Sequence, residues 1–383
     1  MSHRLVIVTE IIAPYRIPVF NALAQQRGID LHVIFLAEND PTLRQWLVYK
    51  DEIRFSFQVL RSWRQSFGNH SALLNWGVRS ALRRASPDAI LCGGYNYMAS
   101  WQSMWWARRN HVPFFLWVES TSADLRRNNP LIESLKAKFL RSSDAFVVPG
   151  KSSFAYLRSY GAPEEMIYTA PNAVDIEFFG QGAQEAHDNA ATLRPALHLP
   201  ARYFLFVGRL VPDKGVFDLL HAYGALSAEV RAAVGLVFVG EGIARAELEK
   251  RAAAIGSGEV HFAGFVQREQ LPSYYGLAEA LVFPTHSDPW GLVVNEAMAC
   301  GLPVISTSVA GCAADLVEDS WNGRVLRAGD TSQFADAMNE LTGDAALRSL
   351  MGRRSRERIL RYSPEACAGG IAKAVLSWEG PRG

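Results

Sequence analysis

Asp288-Pro-Trp-Gly-Leu-Val-Val-Asn-Glu296-Ala-Met-Ala-Cys-Gly301-Leu-Pro303 sets two carboxylates eight positions apart across the start of a helix. The apolar run 280–283 before it reads as a short buried strand that Pro284 stops. Residues 292–300 then read as a helix, which Gly301 and Pro303 end. Asp288 therefore falls on the loop above the helix N-terminus, where free N–H groups and the positive end of the helix dipole favour an anion. Glu296 falls in the second turn, roughly 6–7 Å along the axis from Leu292 at about 1.5 Å per residue. One acid beside a phosphate site and a second acid deeper in suit a nucleotide-sugar. The plain alternative is a helix capped by Asp288 with Glu296 facing solvent.

Outward from this stretch, short apolar runs alternate with helical patterns. Strand candidates in the first half are 5–9, 31–35, 89–92, 114–118 and 145–148, with helical patterns over 18–26, 73–84, 99–110 and 131–141. A second series of strands follows at 203–207, 236–239, 260–262, 280–283 and 303–306, separated by helices at 215–226, 245–255, 292–300 and 331–341. This is the rhythm of parallel, doubly wound sheets. A chain of 383 residues exceeds one ordinary core, so two domains are expected. The polar stretch 180–200 reads as the linker between a domain over 1–180 and another over 181–361. Two such halves would hold a ligand between them at the carboxyl ends of their strands.

Composition narrows the function classes. Hydrophobic residues at 49% and charged residues at 20% describe a soluble globular chain. No apolar run approaches the roughly 18–20 residues of a membrane span, and no signal-peptide pattern is present. The cysteines at 92, 300, 312 and 367 form no C-x-x-C pair, so neither a disulfide scaffold nor structural zinc is expected, and a cytoplasmic location fits. The net charge of +1 hides an asymmetry: residues 1–170 hold 20 Lys/Arg against 13 Asp/Glu, and the remainder 19 against 25. Seven of the ten tryptophans precede position 118. Basic residues mixed with Trp suit contact with an anionic membrane surface or anionic acceptor, and equally a basic soluble domain with core tryptophans.

The second domain opens with Phe204-Leu-Phe-Val-Gly208-Arg209-Leu-Val-Pro-Asp213-Lys214-Gly215. A strand delivers two cations to its carboxyl end, where the bidentate Arg209 and the compact charge of Lys214 could clamp a diphosphate leaving group. A solvated charged loop is the alternative for this segment taken alone.

Taken together, Gly-Arg-Leu-x3-Lys-Gly and acid-x7-Glu, the latter ending Asn-Glu-Ala-Met-Ala-Cys-Gly-Leu-Pro-Val, resemble the retaining GT-B glycosyltransferases of family 4, most specifically over residues 203–325. The resemblance implies two Rossmann-like doubly wound domains facing across a central cleft, the first binding the acceptor and the second the donor. It also implies a C-terminal helix, about 362–380, that crosses back to the first domain. Arg209 and Lys214 would hold the donor diphosphate, Glu296 the ribose hydroxyls and Asp288 the transferred sugar. Amides at Gly291, Leu292 and Val293 would face the phosphates, and Gly264 and Val266 would hold the base through backbone groups. The first acid is usually Glu in the family, and Asp288 is about 1.5 Å shorter in reach. The first domain lacks the common glycine pair and His, offering instead Pro14-Tyr15-Arg16 and Trp117-Val-Glu119. Glu119 could orient or deprotonate an acceptor hydroxyl, or serve as a surface ion-pair partner. Tyr15, Arg16 and Tyr95 could line the acceptor side; packing for Tyr15 and a simple turn around Tyr95 are the alternatives.

The expected reaction is transfer of a sugar from a UDP or GDP sugar to a glycan, a lipid-linked glycan or a small-molecule hydroxyl, in bacterial polysaccharide or glycoconjugate synthesis. No metal or other cofactor is expected, since the chain has no Asp-x-Asp pair and no His/Cys cluster of ligand spacing. A sugar-nucleotide epimerase or a non-catalytic nucleotide-sugar binding module are the rival readings. A dinucleotide fingerprint is absent: Gly240-Glu-Gly242 carries Arg245 where the third glycine belongs. No motif supports nucleic-acid binding.

Overall fold

In the computed structural model, residues 2–40, 46–67, 70–123 and 130–380 are described. Segments 2–122, 130–174 and 363–380 form one compact unit, and Asp175–Tyr362 form another. The division therefore falls at Val174/Asp175 instead of at 180. Residues 180–200, read above as linker, are largely helical: Ile176–Asp188 starts at an Asp175 side-chain cap, and Ala190–Ala196 follows. Polar composition misled there because Phe179, Ala183 and Ala186 form a narrow buried stripe that small residues do not advertise.

The first unit is built on β1 (His3–Thr9), β2 (Ile29–Phe35) and β3 (Ser56–Val59), a hairpin of β4 (Ser62–Phe67) and β5 (His70–Asn75), then β6 (Ala89–Cys92), β7 (Phe114–Trp117), β8 (Ala145–Val148) and β9 (Ile167–Thr169). Its main sheet runs β3-β2-β1-β6-β7-β8-β9, every pair parallel. Burial on both faces explains the near-continuous apolar runs of β6, β7 and β8. One face, carrying Val6, Val8, Ile90 and Leu116, packs under Leu73, Leu82, Met104 and Phe139. The other, carrying Leu5, Ile7, Leu91 and Phe115, packs under Phe20, Leu23, Ile371 and Val375. The hairpin is a correction to the helix read over 73–84. Leu73 pairs with Arg64 in the antiparallel ladder, and the helix begins only at Val78 after left-handed Gly77.

The second unit holds β10 (Tyr203–Val207), β11 (Gly235–Val239), β12 (Val260–Gly264), β13 (Ala280–Phe283), β14 (Val304–Thr307) and β15 (Gly323–Leu326). Their order is β12-β11-β10-β13-β14-β15, again all parallel. In both sheets the first strand lies between the second and the fourth of the main series, so the connections diverge between β1 and β6 and between β10 and β13. Ligands of doubly wound sheets bind beyond the carboxyl ends of the strands at such divergences.

The helix Pro364–Leu376 belongs to the first unit and packs beside the helix Arg16–Ala24 and β9. Two adjacent glycines in it meet different surroundings. A Cβ at Gly370 would lie 2.3 Å from the Thr169 carbonyl oxygen, whereas a Cβ at Gly369 would meet nothing within 4 Å. Gly369→Ala should therefore stabilise the protein by about 0.5–1 kcal/mol through helix propensity. Gly370→Ala should destabilise it, by roughly 1–3 kcal/mol through overpacking. Denaturant unfolding of both variants checks the contrast, and equal effects would contradict this packing.

Candidate functional site

Strand β10 ends in Gly208, and the chain turns through Arg209 into the short turn Pro212–Lys214 before the helix Val216–Ala225. Next door, β13 ends at Phe283 and gives way to the loop 284–290. The two loops are bonded to each other along their length. His286 N donates to Asp213 O at 2.9 Å, and Thr285 Oγ1 to the same oxygen at 3.2 Å. His286 Nε2 lies 2.6 Å from Asp218 Oδ2. Gly215 is required at the crossing: its φ is +68°, and a Cβ there would sit 2.0 Å from the Pro284 carbonyl oxygen.

Lys214 and Asp288 close this junction. Lys214 Nζ donates to Asp288 Oδ2 at 2.6 Å and to Ser287 O at 3.0 Å, both side chains being mostly buried. The other carboxylate oxygen of Asp288 accepts Trp290 N at 3.1 Å. An ammonium has three donors, so the pairing leaves Lys214 a proton for a further acceptor. The Arg209 side chain is exposed on the same turn and has no ion-pair partner among the described residues.

Asp288 does not cap the following helix, contrary to the plain reading above. The helix Leu292–Ala299 starts at Gly291, whose φ is +98°, without a side-chain cap. The first-turn amides, those of Leu292 and Val293 among them, lack intrahelical acceptors by position and so suit an anion. A backbone bond from Gly311 N to Asp288 O at 2.9 Å and one from Cys312 N to Trp290 O at 3.0 Å hold the approach to the helix against the chain after β14.

Glu296 is half-buried, not a free surface carboxylate. Its carboxylate accepts the hydroxyl of Tyr275 at 2.6 Å, and Tyr275, on the helix Leu271–Gly276, is fully buried. Burial pushes the Glu296 carboxyl up to about 7, and the Tyr275 bond only partly offsets this. Tyr275 escaped the sequence reading because it precedes Glu296 by 21 positions in a segment with no motif; only the tertiary fold makes it a partner.

Gly264 and Val266 lie at the end of β12, two strands from β10. Gly264 O accepts Gly240 N at 2.7 Å, and Glu241 O accepts Leu210 N at 2.8 Å, so the loops after β10, β11 and β12 are joined by backbone bonds. The Gly240-Glu-Gly242 segment thus serves this contact.

In the first unit, Arg16 and Glu119 are paired at 2.6 Å, and the same Glu119 oxygen accepts Asn172 Nδ2 at 2.9 Å. The Arg16 guanidinium stacks 3.9 Å from the Trp117 ring centre. Tyr15 precedes it and meets Trp46 edge-on. The hydroxyl of Tyr95, beyond β6, lies 3.3 Å from Ser120 Oγ. These groups gather beyond the carboxyl ends of β1, β6, β7 and β9. Asn172, which the sequence reading missed, makes Glu119 an acceptor twice over, geometry that suits holding Arg16 better than taking a proton. Among the described residues no three His, Cys, Asp or Glu side chains cluster as a metal site.

Two units of this strand order, one of them carrying paired cation and carboxylate at its divergence point, define the GT-B class of glycosyltransferase folds. The chain belongs to family 4 of the glycosyltransferases: residues 20–178 match the model for Glycosyltransferase Family 4 and residues 194–358 that for Glycosyl transferases group 1. Similar curated proteins include a D-inositol 3-phosphate glycosyltransferase of Xylanimonas cellulosilytica, 31% identical over 233 residues (59% of this chain, 55% of that protein). Another of that name, from Streptomyces avermitilis, is 35% identical over 208 residues (51% and 44%). The chain spans about half the length of the curated relatives it matches. Anabaena HepE in complex with UDP and glucose has a similar fold, with a TM-score of 0.73 at 18% identity over 98% of this chain and 100% of that one. Sucrose-phosphate synthase of Thermosynechococcus elongatus gives 0.73 at 20% identity over 96% and 97%.

The raised Glu296 carboxyl has a consequence for stability. The folded protein binds a proton that the unfolded chain, with an ordinary value of 4.5, releases earlier. The stabilisation is complete below about 4.5 and is lost as pH rises through about 7. Glu296→Gln should remove that loss, and Tyr275→Phe, which takes away the bond favouring the charged form, should extend it to higher pH. Denaturant unfolding at a series of pH values checks both; a Glu296→Gln difference that is flat between pH 4.5 and 7 would contradict the assignment.

Proposed function

We propose that the protein transfers a glycosyl group from a UDP or GDP sugar to a hydroxyl of a glycan, a lipid-linked glycan or a small molecule, with retention at the anomeric carbon and without a metal. We place the reaction in the cytoplasm, in polysaccharide or glycoconjugate synthesis. The observation that carries this reading is the Lys214–Asp288 pair at the divergence of β10 and β13, beside Arg209 and the uncapped helix start at Gly291. Support for a nucleotide-sugar donor comes from the similar fold of HepE, whose structure contains UDP and glucose.

In this mechanism the bond from the anomeric carbon to the diphosphate oxygen breaks while the acceptor oxygen attacks the same face. The acceptor proton passes to the departing diphosphate. Arg209, the remaining proton of Lys214 and the amides of Leu292 and Val293 neutralise the negative charge that develops there. Asp288 holds the Lys214 ammonium at its post and offers its carboxylate to a sugar hydroxyl once the diphosphate shares Lys214. Glu296, oriented by Tyr275, accepts from the ribose hydroxyls, while Gly264 and Val266 supply backbone groups to the base. The first unit takes the acceptor, with Arg16 fixed by Glu119 and with Tyr15 and Tyr95 alongside.

Thermal-shift measurements with uridine, guanosine and adenosine diphosphates identify the base; a shift with none of them sinks this reading. Lys214→Ala and Arg209→Ala should each lower kcat by about 10–1,000-fold. Glu296→Gln should act mainly on donor KM, raising it roughly tenfold or more, because a ribose contact is made equally in ground and transition states. Activity in chelator should be complete. Interconversion of donor epimers without transfer would favour an epimerase, and nucleotide binding without product from any acceptor a binding module.

A further inference from the structure

The β4–β5 hairpin is turned the opposite way from an ordinary half-buried hairpin. Pairing Trp63 with Leu74 and Arg64 with Leu73 sorts its side chains by face. Leu73 is buried, Arg64 reaches inward to Asp40 at 2.6 Å, and Asn75 donates to Leu36 O. The outward face carries Arg61, Trp63, Leu74 and Trp76, all exposed, Trp76 by 59%. This is where polar side chains belong if water is the only neighbour.

The helices in the same layer repeat the pattern. Met98–Arg109 buries Ala99, Ser103, Met104 and Ala107, and leaves Met98 and Trp105 exposed, with Arg108 and Arg109 exposed after them. On Pro130–Arg141, Ile132 and Leu135 are exposed one turn apart, and the exposed Lys138 and Arg141 continue the stripe at the same spacing. Trp101 packs on Phe139 at 4.8 Å, which sets these two helices side by side, and the first of them also packs on β5. The helix Val78–Ala85 adds the exposed Arg79 and Arg83. Of the acids nearby, Glu133 is engaged by Lys136, and Asp88 by the backbone of Arg4. Among the described residues, nine large apolar side chains are exposed from Leu47 to Leu135, against Ile243, Phe265 and Leu360 in the second unit.

We propose that this layer, the β4–β5 hairpin with the three helices beside it, docks on the surface of an anionic lipid bilayer. Trp rings favour the headgroup region, Arg and Lys lay their stems along apolar surface with the charge in water, and anionic headgroups attract them. A protein partner or a second copy would be met by an apolar centre depleted of charge. Here the elements that carry the apolar groups also carry exposed cations, Arg61 on the hairpin, Arg108 and Arg109 on one helix and Lys138 and Arg141 on the other, and the groups are spread over a hairpin and two helices. The inference rests on this surface and not on the sugar chemistry, so its failure leaves the proposed reaction untouched.

The test is co-sedimentation of the full chain with vesicles of phosphatidylcholine alone and with about a third phosphatidylglycerol. At low salt the anionic vesicles should bind at least about tenfold more protein than the neutral ones, with the excess falling as salt rises. Combined Trp63→Ser, Trp76→Ser and Trp105→Ser should lower partitioning by about tenfold or more. Combined Arg79→Gln and Arg83→Gln should lower it by roughly fivefold per charge. Ile243→Ser, at an 85% exposed apolar site in the second unit, should leave it unchanged. Thermal unfolding of each variant establishes that it is folded, and the arginine variant carries the test should the tryptophan variant not be. Equal binding to both vesicles, no binding, or binding insensitive to these changes would overturn the proposal. So would light scattering that finds a dimer lost in the tryptophan variant together with absent vesicle binding.

Discussion

Strands β10 and β13 are hydrogen-bonded neighbours whose following connections run to opposite sides of the sheet. That divergence leaves two loops side by side with no helix over them, and unpaired polar backbone at such a place must find partners or water. The chain supplies partners by crossing the loops: Thr285 and the His286 amide bond Asp213 O, Gly215 lies against Pro284, and Lys214 bridges to Ser287 O and Asp288. The position of the helix Leu292–Ala299 follows from this junction, because Asp288 also turns the chain through Trp290 towards it. One ion pair thereby fixes both the cation and the helix start on which the proposed diphosphate chemistry depends.

Much of this was legible in the residues. Strands buried on both faces announce themselves as apolar runs, and a Gly-Arg…Lys-Gly turn or an acid-x7-Glu helix start is a local pattern whose spacing alone places the groups. What escaped was set by tertiary contact or by exposure. The sequence shows Glu296 but not Tyr275 behind it, and Glu119 but not Asn172 sharing its oxygen. Residues 73–75, the end of the hairpin, read as the start of a helix because Leu73, Leu74, Ala81 and Leu82 fit a helical period, and the alternation of β4 and β5 is masked by outward-facing Trp63 and Leu74. Residues 180–200 read as linker since the buried stripe of the helix Ile176–Asp188 relies there on Gly180 and alanines, whose contribution lies in how closely neighbours approach and not in their hydrophobicity.

The two groups of candidate residues treat their carboxylates differently. Glu119 is more than a third exposed, and one of its oxygens accepts from both Arg16 and Asn172. Glu296 has a neutral donor for a partner and is half-buried, so its charge is poorly supported until another donor arrives. Hydroxyls from a ribose would be such donors. The carboxylate that looked like the simpler member of its motif is therefore the one whose state a ligand can change.

Arg64 is the hairpin's charged anchor, and its reach extends beyond the hairpin. Its guanidinium bonds Asp40, just past β2, and Glu10, just past β1, and Glu10 is in turn bonded by the Tyr97 hydroxyl. Arg64 and Asp40 are largely buried, whereas Glu10 is about a third exposed. The chain leaving β1 is thereby tied to the hairpin six residues before Arg16, so the hairpin and the Arg16–Glu119 pair share one anchoring segment.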